Sequence, residues 1–453
     1  MTEPDDWSKD AFFEVPARDS LDGGTTSSGA LWHAISPRWG HSMHTMCSYH
    51  GMFPAKVAHY FIQRFSDPGD LVLDPFSGRG TVPLQARMEG RRVISNDLSP
   101  LADVLSRAKT NPPQWDSVMS FVDKLEVDYR QHAKDEPDVP SDIRMLYSTG
   151  TLRQICSVRG YLLRQPFDKW SPDELMVAGA LAGIMHGSFR RDGTSQYLSI
   201  SMPNTFSMSP GYVEKYIREK GLVAPEQDVF ECLRDKIARL YLDDTTGPAG
   251  RSYSIDAPAL LTGRHVRQNS VDLIVTSPPY LKVVNYGTSN WIRLWLLGLD
   301  EVGRERGAGR QSLNAALDHR HTYDSYQYFL QRTLLGVERA LRPDGVAVLV
   351  IGDVADPGKD PLPLAARIWE DLRQQTNLQL LELIEDDLPA QSKVSRIWGE
   401  TKGQATDRDC ALVLARADGS PTDRGHAISW EEPYKDGGPD AAHARLTEMR
   451  YAS

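Results

Sequence analysis

The fold is decided by the stretch LVLDPFSGRGTVPLQARMEGRRVISND, which spans residues 71–97. Its two ends, 71–74 and 91–97, have the apolar character of buried strands, and 81–90 between them favours a helix that ends at Gly90. A glycine-rich turn joins the first strand to this helix. Strand, turn, helix and strand make one βαβ unit. The stretch therefore predicts an α/β fold.

The turn contains Gly78 and Gly80, which let the backbone bend tightly and approach a ligand closely. The N-terminus of the following helix favours a polar or anionic group. The turn is not the dinucleotide fingerprint, because Pro83 stands where a third glycine would be, and it is not a P-loop, because no Gly-Lys-Ser/Thr follows. A two-glycine turn alone is also compatible with a purely structural role.

Three acidic residues follow or end predicted strands. Asp74 and Asp97 end the two strands of the βαβ unit, and Asp256 follows the strand-like segment RSYSI. Open α/β sheets bind ligands at the carboxyl ends of their strands, and a carboxylate there can accept both hydroxyls of a ribose. Asp74 alone could simply cap the next turn. Together, the three acids suit a nucleoside that bears a positive charge.

A second motif lies in VDLIVTSPPY, residues 271–280. Proline cannot donate to a sheet ladder, so the strand must end before Pro278 and Pro279. The rigid backbone can present the Ser277 hydroxyl and the Pro278 carbonyl as acceptors for an exocyclic amino group. Tyr280 offers a face on which a flipped base can stack. The alternative interpretation is an ordinary Pro-Pro turn after a strand.

The overall composition of the chain favours some classes of protein and argues against others. The chain has 453 residues, which favours two domains or one domain with a large insertion. A net charge of −10 argues against a wholesale polyanion binder. The cysteines lack paired spacing, which favours a reducing compartment and argues against a zinc site. Neither a signal peptide nor a membrane-spanning apolar run is evident, so a cytoplasmic location is expected.

The two motifs together, with the acids at Asp97 and Asp256, resemble the amino-methyltransferases. These S-adenosylmethionine-dependent enzymes methylate N6 of adenine or N4 of cytosine in DNA. The resemblance covers about 46–100 and 250–416. It implies a Rossmann-like fold with a mixed, mostly parallel seven-stranded sheet, S-adenosylmethionine as cofactor, and no metal. It implies cofactor contacts from Phe53, Pro54, Asp74, Pro75, Phe76, Gly78, Gly80, Thr81, Asp97, Asp256 and Thr276, and a base site of Ser277, Pro278, Pro279 and Tyr280.

The residue before Pro-Pro-Tyr bears on the target base. Members that methylate adenine usually carry Asp or Asn there, whereas serine is typical of members that methylate cytosine N4, so Ser277 favours cytosine. Adenine N6 remains an alternative. An RNA base is a second alternative, and a binding protein that retains the pocket without turnover is a third.

The α/β pattern is interrupted by a mainly helical segment. We expect a partly disordered leader over 1–45 that is loosely ordered to about residue 30, and a methyltransferase catalytic domain from 46–104 and 247–416. A helical insertion over 105–246 is a candidate target-recognition region, and a loop-like tail covers 417–453. Within the insertion, YLSISMP at 197–203 has a strand-like pattern.

Basic residues mixed with aromatic and hydroxyl side chains predict DNA contacts. Solvated surface is the alternative interpretation. The expected partners are double-stranded DNA with one base flipped and cognate restriction or defence proteins, with no membrane. His44 and Tyr49 are further candidates for the pocket. The predicted DNA-binding residues are Arg190, Arg191 and Asn204 in the insertion, Arg304, Arg306 and Arg310 after the second motif, and Lys393 and Arg396 near the C-terminus.

Overall fold

The computed structural model describes most of the chain. The described residues are 25–28, 32–36, 38–49, 51–132, 138–191, 193–202, 209–279, 281, 286–299, 322–353, 363–387, 408–423, 428–432 and 434–435.

A single mixed sheet forms the centre of the protein. Its order is β1-β7-β8-β6-β5-β2-β3-β4, and only β8 runs antiparallel to its neighbours. The predicted mixed, mostly parallel sheet of seven strands is confirmed in β2–β8. The strands are β1 Thr25–Ser28, β2 Leu71–Asp74, β3 Arg92–Asn96, β4 Arg251–Tyr253, β5 Val271–Thr276, β6 Leu341–Gly352, β7 Leu378–Asp387 and β8 Arg408–Arg416.

Helices cover the sheet and extend beyond it. They are α1 Ala55–Phe65, α2 Thr81–Met88, α3 Pro100–Thr110, α4 Trp115–His132, α5 Ser141–Arg144, α6 Thr149–Leu162, α7 Pro172–Ile184, α8 Pro210–Lys220, α9 Val229–Leu240, α10 Ala257–Thr262, α11 Tyr286–Ser289, α12 Trp291–Leu296, α13 Tyr323–Ala340 and α14 Leu364–Leu372.

Alternate residues of the central strands pack on opposite faces of the sheet. In β6, Val346 and Val348 lie in a core with Phe61 of α1, whereas Ala347 and Leu349 lie in a core with α13 and α14. Strands buried on both faces need continuous apolar sequence, which explains the runs LVL and LIV in β2 and β5.

The direction in which successive strands are added to the sheet reverses between β2 and β5. Successive strands β3 and β4 are added on one side of β2, and β6 is added on the far side of β5. Open α/β sheets bind ligands at such a switch point, beyond the carboxyl ends of the strands. Asp74 ends β2 and Thr276 ends β5, so both sequence motifs reach this point.

The helices between β3 and β4 do not form a core of their own. Leu101 and Leu105 of α3 share one hydrophobic cluster with Val118 of α4, Ile155 of α6 and Trp295 of α12. The segment YLSISMP was predicted to be strand-like, and this prediction was wrong over its described part. The only bridge there joins Gly187 to Ser201, so alternating polarity lacks a neighbouring strand to pair with.

Both chain ends contain structure that the sequence did not predict. Thr25–Ser28 in the expected loose leader is a strand parallel to β7. In the tail, Trp430 packs edge-on against Trp39 with ring centroids 5.7 Å apart, and the Ser429 carbonyl contacts His59 Nε2 at 2.7 Å. This part of the tail is irregular but packed against α1 and the segment before it.

Candidate active site

A cavity of about 290 Å³ opens where β2 meets β5. Its walls come from the segment before α1, the glycine turn, the ends of β3 and β5, the start of α10, and the helices α11 and α13. The volume is near the lower end of the range for small-molecule sites. Gly78 and Ser277 both line it, so the two motifs open onto one space.

The glycine turn needs its glycines for different reasons. Gly78 and Gly80 have φ angles of +50° and +75°. A Cβ on Gly80 would also lie 3.0 Å from Ser106 Cα, which is too close for an ordinary contact. On Gly78, a Cβ would lie 3.8 Å from Tyr49 Cε1, so the Tyr49 ring covers the turn. The turn is thus enclosed by α3 on one side and by Tyr49 on the other.

Asp97 fixes the turn to the end of β3. Its two carboxylate oxygens each accept a 2.8 Å hydrogen bond, one from the backbone N–H of Gly78 and one from that of Ser99. Burial raises the pKa of Asp97 to about 6, although both hydrogen bonds oppose the shift. The side chain is half-buried and lines the cavity. It therefore shapes the turn and can also accept from a ligand.

A buried hydrogen bond connects the two motifs directly. The Thr276 hydroxyl donates to Asp74 Oδ1 at 2.6 Å, and the same oxygen accepts from the Phe76 backbone N–H at 3.1 Å. Burial raises the pKa of Asp74 to about 7. These contacts hold the start of the turn beside the end of β5.

Asn96 provides a second connection that the sequence did not predict. Its side-chain N–H₂ donates to the carbonyls of Pro75 and Ile255 at 3.0 and 2.9 Å, and its Oδ1 accepts from the Ile255 backbone N–H. The turn, the end of β3 and the segment before Asp256 are thereby held together.

The Ser277 hydroxyl has a defined orientation. It donates to the carbonyl of Val350 in β6 at 3.1 Å. A hydroxyl has one hydrogen, so toward a further ligand Ser277 Oγ acts as an acceptor. Pro278 and Pro279 line the cavity beside it, whereas Tyr280 lies outside the described residues.

Aromatic side chains complete the walls. Tyr49 and Tyr286 stack with ring centroids 5.7 Å apart, and Phe76 meets Phe329 edge-on at 5.6 Å. Burial, followed by the nearby Asp97 carboxylate, raises the pKa of Tyr49 and Tyr286, so both remain neutral phenols. Such surfaces suit a planar heterocycle.

Most of the predicted cofactor residues line this cavity, and three do not. Pro54 precedes α1 and is exposed, Gly80 caps α2 against Ser106, and Thr276 is buried behind Asp74. The predicted residues that line the cavity are Phe53, Asp74, Pro75, Phe76, Gly78, Thr81, Asp97 and Asp256.

The two pocket candidates from the N-terminal segment differ in their placement. Tyr49 lines the cavity, whereas His44 is buried beside it and contacts Gln85 Oε1 at 3.1 Å. The residues that sequence reasoning missed are Arg79, Asn96, Tyr286, Tyr326 and Phe329. The last two lie one turn apart on α13, where the helical period would have grouped them, but the sequence does not indicate which sheet edge they meet.

Two of the eight predicted DNA-binding residues lie in the described part of the chain. Arg190 and Arg191 are exposed at a turn in which the Gly193 N–H donates to the Arg190 carbonyl at 3.0 Å. The other six, Asn204, Arg304, Arg306, Arg310, Lys393 and Arg396, lie outside the described residues.

The described residues also bear on metals and membranes. Over the ranges given above, no group of three His, Cys, Asp or Glu side chains is placed to hold a metal ion. Among the helices that the structure describes, none combines the length and hydropathy needed to cross a bilayer.

The cavity residues fit S-adenosylmethionine. Asp97 and Asp256 offer carboxylates to ribose hydroxyls, and Phe53 and Phe76 offer apolar faces. The Tyr326 hydroxyl lines the cavity, is buried, and has no hydrogen-bond partner among the described residues. Buried polar groups are normally paired, so this hydroxyl indicates a polar ligand group.

The order of strands β2–β8 is that of the Rossmann-like fold of S-adenosylmethionine-dependent methyltransferases, and the cavity lies at its switch point. Sequence comparison adds similarity to one family model and to two curated proteins. The N6_N4_Mtase family model, described as DNA methylase, matches residues 6–102. Type II methyltransferase M.MjaII of Methanocaldococcus jannaschii is 33% identical over 67 residues, which are 15% of this chain and 13% of the relative. Type II methyltransferase M.PvuII of Proteus hauseri is 44% identical over 48 residues, which are 11% of this chain and 14% of the relative.

These matches show that part of the chain is similar to DNA amino-methyltransferases. They span only about a seventh of the two curated relatives, and the family-model match ends before Ser277.

Solved structures are more distant. TrmN from Thermus thermophilus aligns with a TM-score of 0.30 at 11% identity, covering 80% of this chain and 49% of its own. A second Thermus thermophilus protein, described as a DNA modification methylase and solved in complex with S-adenosyl-L-methionine, aligns with a TM-score of 0.22 at 20% identity over 39% of this chain and 54% of its own. The fold assignment rests on the strand order itself.

Proposed function

We propose that the chain transfers a methyl group from S-adenosylmethionine to N4 of a cytosine flipped out of double-stranded DNA. The observation that carries this proposal is the shared cavity. Gly78, in the turn after β2, and Ser277, after β5, line one space at the tips of neighbouring strands. A cofactor on the first side would thus lie next to a base on the second.

The cofactor side consists of residues that can bind a nucleoside. Asp97 and Asp256 would accept from hydroxyls, Gly78 allows close approach, and Phe53 and Tyr49 would contact the heterocycle. When bound, S-adenosylmethionine supplies a methyl group on a positively charged sulfur that a nitrogen lone pair can displace. The chain's own task is to exclude water from this space and to orient the nitrogen.

The base side consists of acceptors. Because the Ser277 hydrogen is directed to the Val350 carbonyl, Ser277 Oγ would accept one N–H of an exocyclic amine. The Pro278 carbonyl would accept the other. Two fixed acceptors favour a pyramidal nitrogen whose lone pair points away from them. Such positioning favours attack without a covalent intermediate or a metal.

Serine at this position supports cytosine over adenine. A hydroxyl is a weaker proton acceptor than a carboxylate, so the site suits an amine that needs hydrogen bonding only. The excess proton would leave to water after transfer. Adenine N6 and an RNA base remain the competing substrates, and a binding protein without turnover remains the competing class.

DNA contacts are proposed for basic residues on the insertion, after the second motif and near the C-terminus. Arg190 and Arg191 are exposed, as phosphate contacts require. Because the net charge is −10, binding would depend on local basic surface rather than on the whole chain. The same proposal includes Asn204, Arg304, Arg306, Arg310, Lys393 and Arg396. Cognate restriction or defence proteins are the proposed partners.

One assay tests the proposed function. The protein is incubated with methyl-labelled S-adenosylmethionine and either duplex DNA or total RNA, and the nucleic acid is digested to nucleosides for mass analysis. We expect N4-methylcytosine from DNA. N6-methyladenine would replace the proposed base, label in RNA alone would replace the substrate, and no label would support a binding protein.

A further inference from the structure

Arg79 stands between the two glycines of the turn and lines the cavity. Its Nε donates to Thr81 Oγ1 at 3.2 Å, and its Nη1 donates to the His44 carbonyl at 2.9 Å. Both acceptors are neutral. Within the part of the chain that the structure describes, no carboxylate pairs with this guanidinium. Burial lowers the pKa of Arg79 to about 10, which still leaves it cationic at neutral pH.

Two buried lysines lie behind Arg79. Lys109 donates to the Arg79 carbonyl, and Lys236 donates to the Thr45 carbonyl at 2.7 Å. Neither lysine has a carboxylate partner among the described residues. Burial and then the neighbouring arginine, Arg79 for Lys109 and Arg239 for Lys236, lower the lysine pKa values. A buried guanidinium without an opposite charge is unfavourable, so an anion supplied by a ligand would offset the cost of burying Arg79.

The cavity therefore has two kinds of wall. Asp74 and Asp97 provide carboxylates at the ends of β2 and β3, whereas Arg79 provides a cation at the turn between them. A ligand that matches both must carry positive and negative groups together. The methionyl part of S-adenosylmethionine has a sulfonium, an ammonium and a carboxylate. A guanidinium binds a carboxylate with two parallel hydrogen bonds, which gives it both charge and directional match.

We propose that Arg79 binds the α-carboxylate of S-adenosylmethionine and so selects a ligand with an intact amino-acid tail. This inference rests on the proposed function, because it requires that the cavity hold this cofactor. It adds a charged contact to the turn, whose other proposed contributions come from glycine backbone and helix N-terminus.

The test compares two ligands that differ in the tail. S-adenosylhomocysteine retains the carboxylate, whereas 5′-methylthioadenosine lacks the amino-acid group. Their dissociation constants are measured by calorimetry on the full chain and on Arg79→Gln. We expect Arg79→Gln to weaken S-adenosylhomocysteine binding about tenfold to a hundredfold. Binding of 5′-methylthioadenosine should change by less than about twofold.

Two further variants control for charge and fold. Arg79→Lys keeps the charge but loses the planar fork, so its affinity for S-adenosylhomocysteine should lie between those of the parent and Arg79→Gln. Arg251→Gln removes a positive charge from the exposed start of β4 and should change neither affinity.

Three results would overturn the inference. An equal loss for both ligands would show that Arg79 supports only the shape of the cavity. An unchanged affinity for S-adenosylhomocysteine would show that the guanidinium has another ligand, such as a nucleic-acid phosphate. If the parent protein bound neither compound, the proposed function itself would fail, and this inference with it.

Discussion

Thr276 and Asp74 form a 2.6 Å hydrogen bond in the interior of the protein, although 202 positions separate them in the chain. The bond joins the end of β5 to the end of β2. It therefore fixes the distance between the glycine turn and the Ser-Pro-Pro segment, which is the geometry that the proposed reaction requires.

Replacing Thr276 with valine should expose the importance of this bond. Valine has nearly the same shape but no hydroxyl, so Asp74 would lose one of its two donors in a buried place. We expect the free energy of unfolding to fall by about 1–3 kcal/mol, measured by urea denaturation. Thr333→Val is the matched control. That buried hydroxyl donates to the Phe329 carbonyl within its own helix, so the loss of stability should be smaller. Equal losses would contradict the assignment.

Asp74 should make stability depend on pH in a predictable direction. Burial raises its pKa to about 7, whereas an aspartate in an unfolded chain titrates near pH ~4. Between these values the folded state binds more protons, so this group's contribution to the free energy of unfolding falls as pH rises through that range. Asparagine cannot ionise. Asp74→Asn should therefore gain stability relative to the parent between about pH 4 and about pH 7 in parallel denaturant titrations. A stability difference that does not change with pH would rule out the raised pKa.

Gly80 should tolerate alanine less well than a glycine with a similar φ angle in open space. Gly80→Ala places a Cβ 2.9 Å from Ser106 Oγ at a φ of +75°. Gly221, which follows α8, has a φ of +58° and no atom within 4 Å of an added Cβ. Thermal unfolding should show a cost of about 1 kcal/mol for Gly221→Ala and a larger cost for Gly80→Ala. A smaller cost at Gly80 than at Gly221 would show that the Ser106 side chain moves to make room for the added Cβ.

Ser277→Ala should reduce turnover far more than cofactor binding. The change removes an acceptor for the base amine and leaves the residues around Asp97 in place. We expect the rate of methyl transfer to fall by about tenfold to a hundredfold, with the affinity for S-adenosylhomocysteine unchanged. Single-turnover kinetics and calorimetry measure the two quantities. A matching loss of cofactor affinity would place Ser277 in the cofactor site instead.

Asp97→Ala should weaken cofactor binding more than it slows methyl transfer. It removes both the acceptor for a ligand hydroxyl and the carboxylate that holds the Gly78 N–H. S-adenosylhomocysteine should bind about tenfold or more weakly. Affinity equal to that of the parent would refute the role of Asp97, provided that circular dichroism shows a folded variant.

The central fold was predictable because its signals are local. The run LVLD, the two glycines and the run RVISN give strand, turn and strand within 71–97, and the structure forms β2, α2 and β3 there. Prolines at 278 and 279 end β5 as expected. Residues at strand ends then converge because parallel strands bring their carboxyl ends to one edge of the sheet.

The rest of the fold and of the site could not be predicted from the sequence, because it depends on contacts between segments that are distant in the chain. Tyr326 and Phe329 belong to an amphipathic helix whose pattern predicts burial but not the cavity it faces. Thr25–Ser28 is polar and becomes a strand only because β7 offers an edge. Conversely, the segment at 197–203 alternates like a strand without a partner. The sequence gives no signal for Arg79, because only the structure shows that it lines the cavity with neutral hydrogen-bond acceptors.

The most direct measurement is a crystal structure of the protein with S-adenosylhomocysteine. We expect adenosine next to Asp97 and Tyr49, with the sulfur directed toward Ser277 in the same cavity. Electron density for the ligand on another surface, or a ligand that leaves no path from its sulfur to Ser277, would contradict the shared site.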